Sequence, residues 1–414
     1  MVRNAAHRKI DVYYVGWGED WLLGTLGRGG ATTIFEYSEA ARARGIEHSP
    51  IELPLAATPY SSFESSQRGL PGFIHDALPD GWGLLLIDRL LKRQGIERPD
   101  AFDHLSYIGD NAMGALRFVP SDNTPEEHPD WTLRQLAEES QQIHQGSSRD
   151  ILAQLARTGG SAHGARPKAL VQYDPKSQRI STAPDAPGEP WLFKFPAPGE
   201  HKEVCAIEAL YADLARSAGI HMPKTVHVDL GRKLAAFGVQ RFDRVQGLRV
   251  PMHSMAGLLH IDFRIPGAAS YGDWLAATRR LTHSQREVEI AFARVVFNVV
   301  FHNRDDHPKN FAWLLSRESR WEVSPAFDLT FSDGPRGQHH MDVEGYGDAI
   351  PRSALLTLAQ KHGSENTTAH EVIDRVLQVV DQLPAHAGNY PIRKATLVGW
   401  TRCVERCAAM LVRG

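Results

Sequence analysis

The sequence predicts an α+β protein in which a small α+β region is followed by a β-rich lobe and a mostly helical lobe. Residues 10–119 mix strand-like runs with one amphipathic helix, residues 159–245 follow the order strand, strand, helix, strand, strand, and helical periodicity prevails from about residue 250. A chain of 414 residues is long enough for two or three domains, which usually have about 100–200 residues each. The predicted domains are residues 1–120, 121–249 and 250–414.

The first region has strand-like runs at residues 10–15 and 32–37 and a helix at 83–94, whose leucines and isoleucine form one apolar face. The turn-rich segment Leu-Pro-Asp-Gly-Trp-Gly at 78–83 precedes this helix and suits either docking against another region or simple loop stabilisation. Segment 120–130 is polar, rich in proline and without apolar residues, which predicts a connection between domains.

The second region begins with two predicted helices, 131–145 and 150–157, and either Asp130 or Thr132 is expected to cap the first. The predicted strands 169–173 and 191–195, the helix 204–218 and the hairpin strands 226–230 and 234–240, with a turn at Gly231, follow in that order. In the third region, residues 287–300 form a helix with one apolar face. This helix leads directly into a polar loop, so its burial would fix the direction of the loop's side chains.

Composition excludes several classes of protein. A net charge of −3 provides no general attraction for nucleic acid or anionic membranes, and no apolar run approaches the roughly 18–20 residues that cross a bilayer. The N-terminal residues lack the apolar segment of a secretory signal, so a cytoplasmic location is expected. Cys403 and Cys407 lie one helical turn apart, but no second Cys or His pair lies nearby, which favours simple thiols over a zinc site.

The polar loop at 303–310, Asn-Arg-Asp-Asp-His-Pro-Lys-Asn, carries an aspartate and an asparagine five positions apart, and Phe327-Asp328 follows it. Phosphoryl transfer uses such a set, in which Asp305 would accept the proton of the attacking hydroxyl while Asn310 and Asp328 hold Mg²⁺ against the nucleotide phosphates. Protein kinases have these residue types in the same order. Taken alone, the loop is also compatible with a turn or a helix cap.

Segments upstream of this loop predict phosphate contacts. Residues 159–168 are rich in glycine and small side chains, so their N–H groups would approach phosphate oxygens, although a plain turn fits the same composition. Lys194 interrupts an apolar strand, where its ammonium group requires either an anionic partner or a route to solvent. Glu208 is the candidate partner because kinases pair a strand lysine with a helix glutamate, and Glu203 is the competing carboxylate.

Residues 240–242 end the strand-rich region, where a hinge would present backbone groups to adenine, although their aromatic side chain equally suits a core. His307 and Lys309 lie within the polar loop and are expected either to contact phosphate or to brace the loop. His339 and His340 fall in a polar segment beside glycines and are predicted to have no ligand role.

The chain resembles the HipA family, the serine/threonine kinase-like toxins of bacterial type II toxin–antitoxin systems. The resemblance rests on segments 78–83, 108–116, 161–168, Lys194, 241–244, 303–310 and Phe327-Asp328. It implies a kinase-like bilobal fold with an additional N-terminal subdomain, with Asp305 as catalytic base and Asn310 and Asp328 as Mg²⁺ ligands. The ATP-binding residues that it implies are His163, Gly164, Ala165, Arg166, Pro167, Lys168, Lys194, Gln240, Arg241, Phe242, His307 and Lys309.

The same resemblance implies regulation and partners. Ser161 matches a serine whose autophosphorylation ejects the glycine-rich loop, since a phosphate adds about −1.5 to −2 charges beside the ATP site. Members of the family typically phosphorylate a serine of an aminoacyl-tRNA synthetase and are neutralised by a HipB-like helix-turn-helix antitoxin, so contact with DNA is expected only through the antitoxin. Two positions depart from the family's usual pattern: Gln240 stands where an acidic residue is often found, and Asp306 adds a carboxylate next to the expected base.

Three other functions stay open at this point. Asp-x-His-x-x-Asn loops also resemble those of phosphoinositide kinases, which allows a small-molecule or lipid kinase. An antitoxin-bound DNA co-repressor with little kinase turnover is a second alternative. A metal phosphohydrolase built on Asp305, Asp306 and His307 is a third, but it leaves the upstream loop and Lys194 unexplained.

Overall fold

The computed structural model describes residues 7–30, 32–122, 131–144, 156, 164–183, 186–231 and 233–413. The chain forms two compact units, and neither is one continuous stretch of sequence. Unit 1 comprises Met1–Lys202, Val226–His253 and Gly257–His260, and unit 2 comprises Glu203–Thr225, Ser254–Ala256 and Ile261–Gly414. The α+β fold class is confirmed, because unit 1 contains two five-stranded sheets and unit 2 is mainly helical. The domain boundaries at residues 120 and 249 stay predictions.

The first sheet of unit 1 has the strand order β4-β3-β2-β1-β5. Its strands are β1 (Lys9–Tyr14), β2 (Trp21–Gly29), β3 (Thr32–Tyr37), β4 (Tyr60–Ser61) and β5 (Leu116–Val119). Neighbouring strands are antiparallel, and alternate residues of β1, namely Ile10, Val12 and Tyr14, are buried. This alternation is the two-residue period of a sheet with one face on the core.

The second sheet of unit 1 has the order β7-β6-β8-β10-β9. Its strands are β6 (Lys168–Asp174), β7 (Arg179–Ser181), β8 (Glu189–Lys194), β9 (Thr225–Asp229) and β10 (Ala235–Gln240). The two predicted strands before the helix and the two after it are confirmed to within one or two residues, and only β7 lacked a prediction. A short hairpin of β11 (Arg244–Val245) and β12 (Leu248–Arg249) follows.

The helices of unit 1 are Glu39–Arg44, Gly72–His75, Gly81–Arg93, Ala101–Ile108 and Leu133–His144. The third of these is the helix that was predicted at 83–94, and it buries Trp82, Leu86, Ile87 and Leu91. The side chain of Thr132 accepts a hydrogen bond from the N–H of Gln135 at 3.2 Å, so Thr132 caps the helix that was predicted at 131–145. The helix predicted at 150–157 lies outside the described residues, apart from residue 156.

Unit 2 is built mainly from helices. They are Glu203–Ser217, Tyr271–Thr282, Gln285–Val300, Arg352–Lys361, Asn366–Val380, Leu383–Ala387 and Lys394–Arg413. β13 (Met252–Ser254) and the short helix Met255–Leu258 include residues of both units. In unit 2, β14 (Ala312–Leu315) and β15 (Trp321–Val323) form an antiparallel pair. None of the helices in the described ranges has the length and apolarity that a bilayer crossing requires.

The helix Gln285–Val300 confirms the prediction at 287–300 and positions the polar loop that follows it. Ser284 caps the helix by accepting a hydrogen bond from the N–H of Glu287, and the last six helical residues, 295–300, are all buried. The helix ends at Val300 with Phe301 as its C-cap, and His302 then adopts a left-handed conformation with φ of 53°. A buried, capped helix therefore determines where the polar loop leaves the core.

Candidate functional site

The predicted site residues are divided between the two units. Unit 1 contains residues 164–168, Lys194 and residues 240–242, whereas unit 2 contains Glu208 and the loop residues from Asp305 onward. Ser161 and His163 lie outside the described residues. The predicted pairing of Lys194 with Glu208 joins residues of different units and stays a prediction.

Asp305 is the exposed residue of an otherwise buried stretch. Its side chain is 60% exposed, whereas His302, Asn303, Arg304 and Asp306 are all buried. Within residues 302–306, Asp305 alone therefore faces solvent. An exposed carboxylate on a backbone held by buried neighbours is suited to accept a proton from an incoming hydroxyl.

Asp306 accepts three hydrogen bonds in the interior of unit 2. Its Oδ2 accepts from Tyr271 Oη at 2.6 Å and lies 2.7 Å from His339 Nδ1, while its Oδ1 accepts from the N–H of His340 at 2.7 Å. Burial by itself raises the pKa of Asp306, but His339 and these bonds lower that pKa below its ordinary value. The carboxylate therefore stays ionised and turned inward, which leaves it unsuited to the phosphohydrolase alternative.

A chain of buried amides extends this cluster to the preceding helix. Asn303 Nδ2 donates to Asn298 Oδ1 at 2.9 Å, and Asn298 Nδ2 donates to Tyr271 Oη at 3.0 Å. The backbone N–H of Asn303 also donates to the carbonyl of Asn298 at 2.9 Å. Polar groups in a core require partners of this kind, and a connected set of them fixes one arrangement of the backbone. The sequence analysis did not identify this cluster, and the polar Asn298 within an apolar helical run is the signal that could have found it.

Arg304 and His302 complete the loop's anchors. The guanidinium of Arg304 donates to the carbonyl of Gly337 and to the carboxylate of Asp348. The ring of His302 stacks on Phe331 with centroids 5.1 Å apart, and burial lowers the pKa of His302 to about 4. Arg304, next to the exposed Asp305, and His302, three residues before it, therefore both contact distant segments of the same unit.

Asn310 and Asp328 lie on the same cavity of unit 2, together with Arg294, Asn303 and Asp306. Asn310 Nδ2 donates to the carbonyl of Asp305 at 2.7 Å, so its amide oxygen remains as an acceptor. Asp328 has a positive φ of 55°, an uncommon conformation that is enriched at functional positions.

A carboxylate and an amide oxygen are ligands that suit Mg²⁺, which keeps several waters and takes its remaining ligands from phosphate oxygens. Within the described ranges, no three His, Cys, Asp or Glu side chains come together as a metal site. The residues on this cavity thus fit a Mg²⁺ ion held mainly by a nucleotide, rather than one held in an all-protein cage.

His307 and Lys309 pack against Phe263. The rings of His307 and Phe263 have centroids 5.5 Å apart, and the buried Lys309 places Nζ 4.9 Å from the centroid of the same ring. Nε2 of His307 lies 3.9 Å from the carboxylate of Asp305. The cation–π contact and the ring packing brace the loop. Of the two roles predicted for these residues, bracing the loop is observed, and contact with phosphate stays a prediction.

Unit 1 places two lysines opposite each other. Lys168 of β6 and Lys194 of β8 are register partners, so their side chains extend from the same face of the sheet. Lys168 is buried, and Lys194 Nζ lies 5.8 Å from the ring centroid of Phe237 on β10. The register thus concentrates two positive charges on one face of the sheet. The sequence contained both lysines but no indication of their register.

The end of the glycine-rich loop is held by the turn that precedes the helix Gly81–Arg93. The N–H of Gly164 donates to Asp80, the N–H of Trp82 donates to the carbonyl of Gly164 at 3.1 Å, and Trp82 Nε1 donates to the carbonyl of Lys168 at 3.1 Å. A Cβ on Gly81 would lie 2.8 Å from Ala165 Cα, which explains the glycine. Segment 78–83 is thus bonded to the glycine-rich loop within unit 1, and its docking against another lobe stays a prediction.

The predicted hinge carries an ion-pair cluster. Arg241 and Arg244 contact Asp243 at 2.7 and 2.8 Å, and although burial raises the pKa of Asp243, the two guanidinium groups lower it far below its usual range. Gln240 Nε2 donates to Glu189 at 3.1 Å, and the N–H of Arg241 donates to the carbonyl of Pro190. The Arg241 side chain thus supports the fold at the end of β10, and an adenine contact by this segment stays a prediction.

Glu203 is bonded to the C-terminal segment of unit 2. Glu203 is buried and accepts hydrogen bonds from the N–H and Nε of Arg393, both at 2.8 Å, and from Thr396 at 2.9 Å. Burial raises the pKa of Glu203, but Arg393 brings it below the ordinary value. Because the Glu203 carboxylate is already bonded to Arg393 and Thr396, Glu208 remains as the candidate partner for a lysine.

Known proteins resemble this chain over nearly its whole length. A family model described as the HipA-like C-terminal domain matches residues 160–383, and one described as the HipA N-terminal domain matches residues 15–119. HipA of Shewanella oneidensis, in a structure with HipB and its operator DNA, has 20% identity and a TM-score of 0.71, with 98% of this chain and 97% of that chain covered. The Helicobacter pylori proinflammatory kinase CtkA has 12% identity and a TM-score of 0.39, with 55% and 90% covered. The two family models together span both units, and the chain therefore belongs to the HipA family.

Proposed function

We propose that this protein is an ATP- and Mg²⁺-dependent serine/threonine protein kinase that acts as a HipA-type toxin. The observation that carries the proposal is the exposed Asp305, held on a buried and hydrogen-bonded backbone, with Asn310 bonded to its carbonyl and Asp328 on the adjacent cavity. Family membership supports the same activity. In this proposal Asp305 orients the substrate hydroxyl and accepts its proton.

Asn310 and Asp328 would hold Mg²⁺ through the amide oxygen and the carboxylate. When bound, the ion neutralises phosphate charge as the phosphoryl group transfers. For the nucleotide itself, we assign the phosphates to the end of the glycine-rich loop and to Lys168 and Lys194, whose cross-strand arrangement supports an anionic ligand. Residues 240–242 are assigned to adenine, and Glu208 is assigned as the partner of Lys194.

Regulation and partners follow from the family. We propose that Ser161 is autophosphorylated and that the added charge opens the glycine-rich loop. The expected substrate is a translation-related protein of the aminoacyl-tRNA synthetase class. The expected inhibitor is a HipB-like antitoxin, with DNA bound through it, and the Shewanella HipA, which was solved with HipB and operator DNA, supports that arrangement.

The test is an Asp305→Asn variant. Purified wild-type and variant proteins are incubated with Mg²⁺ and γ-labelled ATP, alone and with a bacterial extract, and the transferred label is measured. We expect the variant to lose about 10²–10⁴-fold in rate, because the proton acceptor is removed, and to keep its thermal unfolding midpoint, because the side chain is exposed. Asp381→Asn, which changes an exposed aspartate of the same unit, is the matched control. Equal transfer by Asp305→Asn and wild type would remove Asp305 from the proposed role.

A further inference from the structure

Both neighbours of Asp305 are anchored to one segment, residues 337–348, which we call the brace segment. Arg304 donates to the carbonyl of Gly337 and pairs with Asp348 near the other end of the segment. Asp306 is bound by the ring of His339 and by the N–H of His340. Because the residues before and after Asp305 are both anchored, the backbone at Asp305 has little freedom to move.

The brace segment is itself held by several backbone hydrogen bonds. The N–H of His339 donates to the carbonyl of Gly347 at 2.7 Å, and the N–H of Gly267 donates to the carbonyl of His340 at 2.9 Å. The N–H of Tyr271 donates to the carbonyl of Asp342 at 3.0 Å, at the start of the helix Tyr271–Thr282. The segment that holds Asp306 is therefore fixed to the same helix that supplies the Tyr271 hydroxyl.

Asp305 and Asp306 differ completely in exposure, although they are adjacent in sequence. The Asp305 side chain is 60% exposed, whereas that of Asp306 is 0% exposed and accepts bonds from three groups. Burying a carboxylate is costly unless it is fully bonded, so the bonded state of Asp306 specifies one backbone conformation. That conformation determines the direction of the Asp305 carboxylate.

We propose that Asp306 is a positioning residue for phosphoryl transfer, with Tyr271 and His339 as the groups that hold it. This inference rests on the proposed kinase function. A general base works only within hydrogen-bond reach of the proton that it accepts, and displacement of about 1 Å costs about 10²-fold in rate. Asp306 touches no reacting atom in this proposal, and its effect reaches the reaction only through Asp305.

A purely structural role for the same cluster predicts a different result. If Asp306 only stabilised the core, its replacement would lower the unfolding midpoint and leave the turnover of the folded protein unchanged. If it positions Asp305, the turnover of the folded protein falls. In that case, replacing Asp306 should not lower the rate further in a protein that already lacks the Asp305 carboxylate, because the two residues act as one unit.

The experiment compares Asp306→Asn and Tyr271→Phe in the full-length protein, with kcat, KM for ATP and the unfolding midpoint measured for each. Asp306→Asn is expected to lower kcat about 10–100-fold and to change KM for ATP less than about 3-fold. Tyr271→Phe removes one of the three bonds and is expected to lower kcat about 3–10-fold. Asp213→Asn, which changes another carboxylate of unit 2 that is bonded by a tyrosine hydroxyl, is the matched control and should lower stability without changing kcat.

A second comparison places Asp306→Asn in the Asp305→Asn background, where no further loss of the residual rate is expected. Unchanged kcat in folded Asp306→Asn and Tyr271→Phe proteins, or a full additional loss in the double variant, would overturn the inference while leaving the kinase proposal standing. If Asp306→Asn does not fold, Tyr271→Phe decides alone. Absence of phosphoryl transfer in the wild-type protein would instead reject the proposed function and this inference together.

Discussion

Two buried histidines, one in each unit, show how differently the same side chain is used. His48 of unit 1 is completely buried, and neither ring nitrogen has a hydrogen-bond partner in the described part of the chain. Its ring instead packs among those of Tyr14, Trp21 and His253, with centroids 4.8, 6.2 and 6.3 Å away. Burial lowers the pKa of His48 to about 3, so it is a neutral aromatic residue.

His339 of unit 2 is also buried, but its Nδ1 lies 2.7 Å from the carboxylate of Asp306. The comparison shows that burial does not by itself assign a role to a histidine. An imidazole without a polar partner packs like any aromatic ring, whereas one within hydrogen-bond distance of a buried carboxylate satisfies that carboxylate and fixes the backbone beside it. The second arrangement belongs to the candidate site, and the first belongs to the core.

The largest expected effect on stability is that of His339→Leu. The change leaves the buried Asp306 carboxylate without its imidazole partner, and loss of a hydrogen bond to a buried charged group costs about 3 kcal/mol. Chemical denaturation at neutral pH measures this loss. His362→Leu, which changes a half-buried histidine of the same unit, is the control and should cost less than about 1 kcal/mol. A loss below about 1 kcal/mol for His339→Leu would show that Tyr271 and His340 satisfy Asp306 without it.

An intermediate effect is expected for His48→Leu, and it depends on pH. Because the pKa of His48 is about 3 in the folded protein and 6.5 as the ordinary value, the unfolded state binds the proton first as pH falls. Stability from this site is therefore complete above about pH 6.5 and is lost progressively toward pH 3, by about 2 kcal/mol at pH 5. His48→Leu has no histidine at this site, so it does not show this loss of stability at low pH.

The measurement is denaturation of wild-type protein and His48→Leu at pH 7.5 and pH 5. The stability of the variant relative to wild type should rise by about 2 kcal/mol between the two conditions, whatever its packing cost. His253, whose pKa burial lowers to about 4, is present in both proteins, so the difference isolates His48. Parallel pH dependence of the two proteins would mean that His48 is not buried as a neutral ring.

The smallest effect is expected for Arg294→Met. Arg294 is buried, its Nε and Nη1 have no hydrogen-bond partner among the described residues, and burial lowers its pKa to about 9. Replacing a poorly compensated buried charge with an apolar side chain of similar length is expected to stabilise the protein by about 1 kcal/mol. Thermal unfolding measures the change. Arg286→Met, at an exposed position of the same helix, serves as control. A destabilised Arg294→Met would indicate a compensating partner for the guanidinium.

The parts of the site that the sequence predicted are those in which neighbours in sequence are also neighbours in space. Asn310 Nδ2 bonds the carbonyl of Asp305 five residues away, and the helix before the loop was evident from its apolar face. Thr132, the observed cap, was one of the two capping residues predicted, for the same reason. In each case the contact spans a few residues, so local spacing and side-chain type were sufficient.

The parts that the sequence did not predict depend on register or on distant segments. Lys168 faces Lys194 only because β6 and β8 pair in one register, and a shift by one residue would turn the side chains apart. Glu203 is bonded by Arg393, which lies 190 residues away, and no spacing in the chain signals that pair. His339 was predicted to have no ligand role, and its contact with Asp306 was not foreseen.

The amino-acid sequence alone determined the family, the order of helices and strands, and the loop that carries Asp305 and Asn310, because these depend on short-range patterns of residue type. Only the tertiary structure decided that Asp305 is exposed while Asp306 is buried against Tyr271 and His339, which are 35 and 33 residues away. Two adjacent aspartates are chemically identical in the sequence. The packing of distant segments around each carboxylate is what separates them.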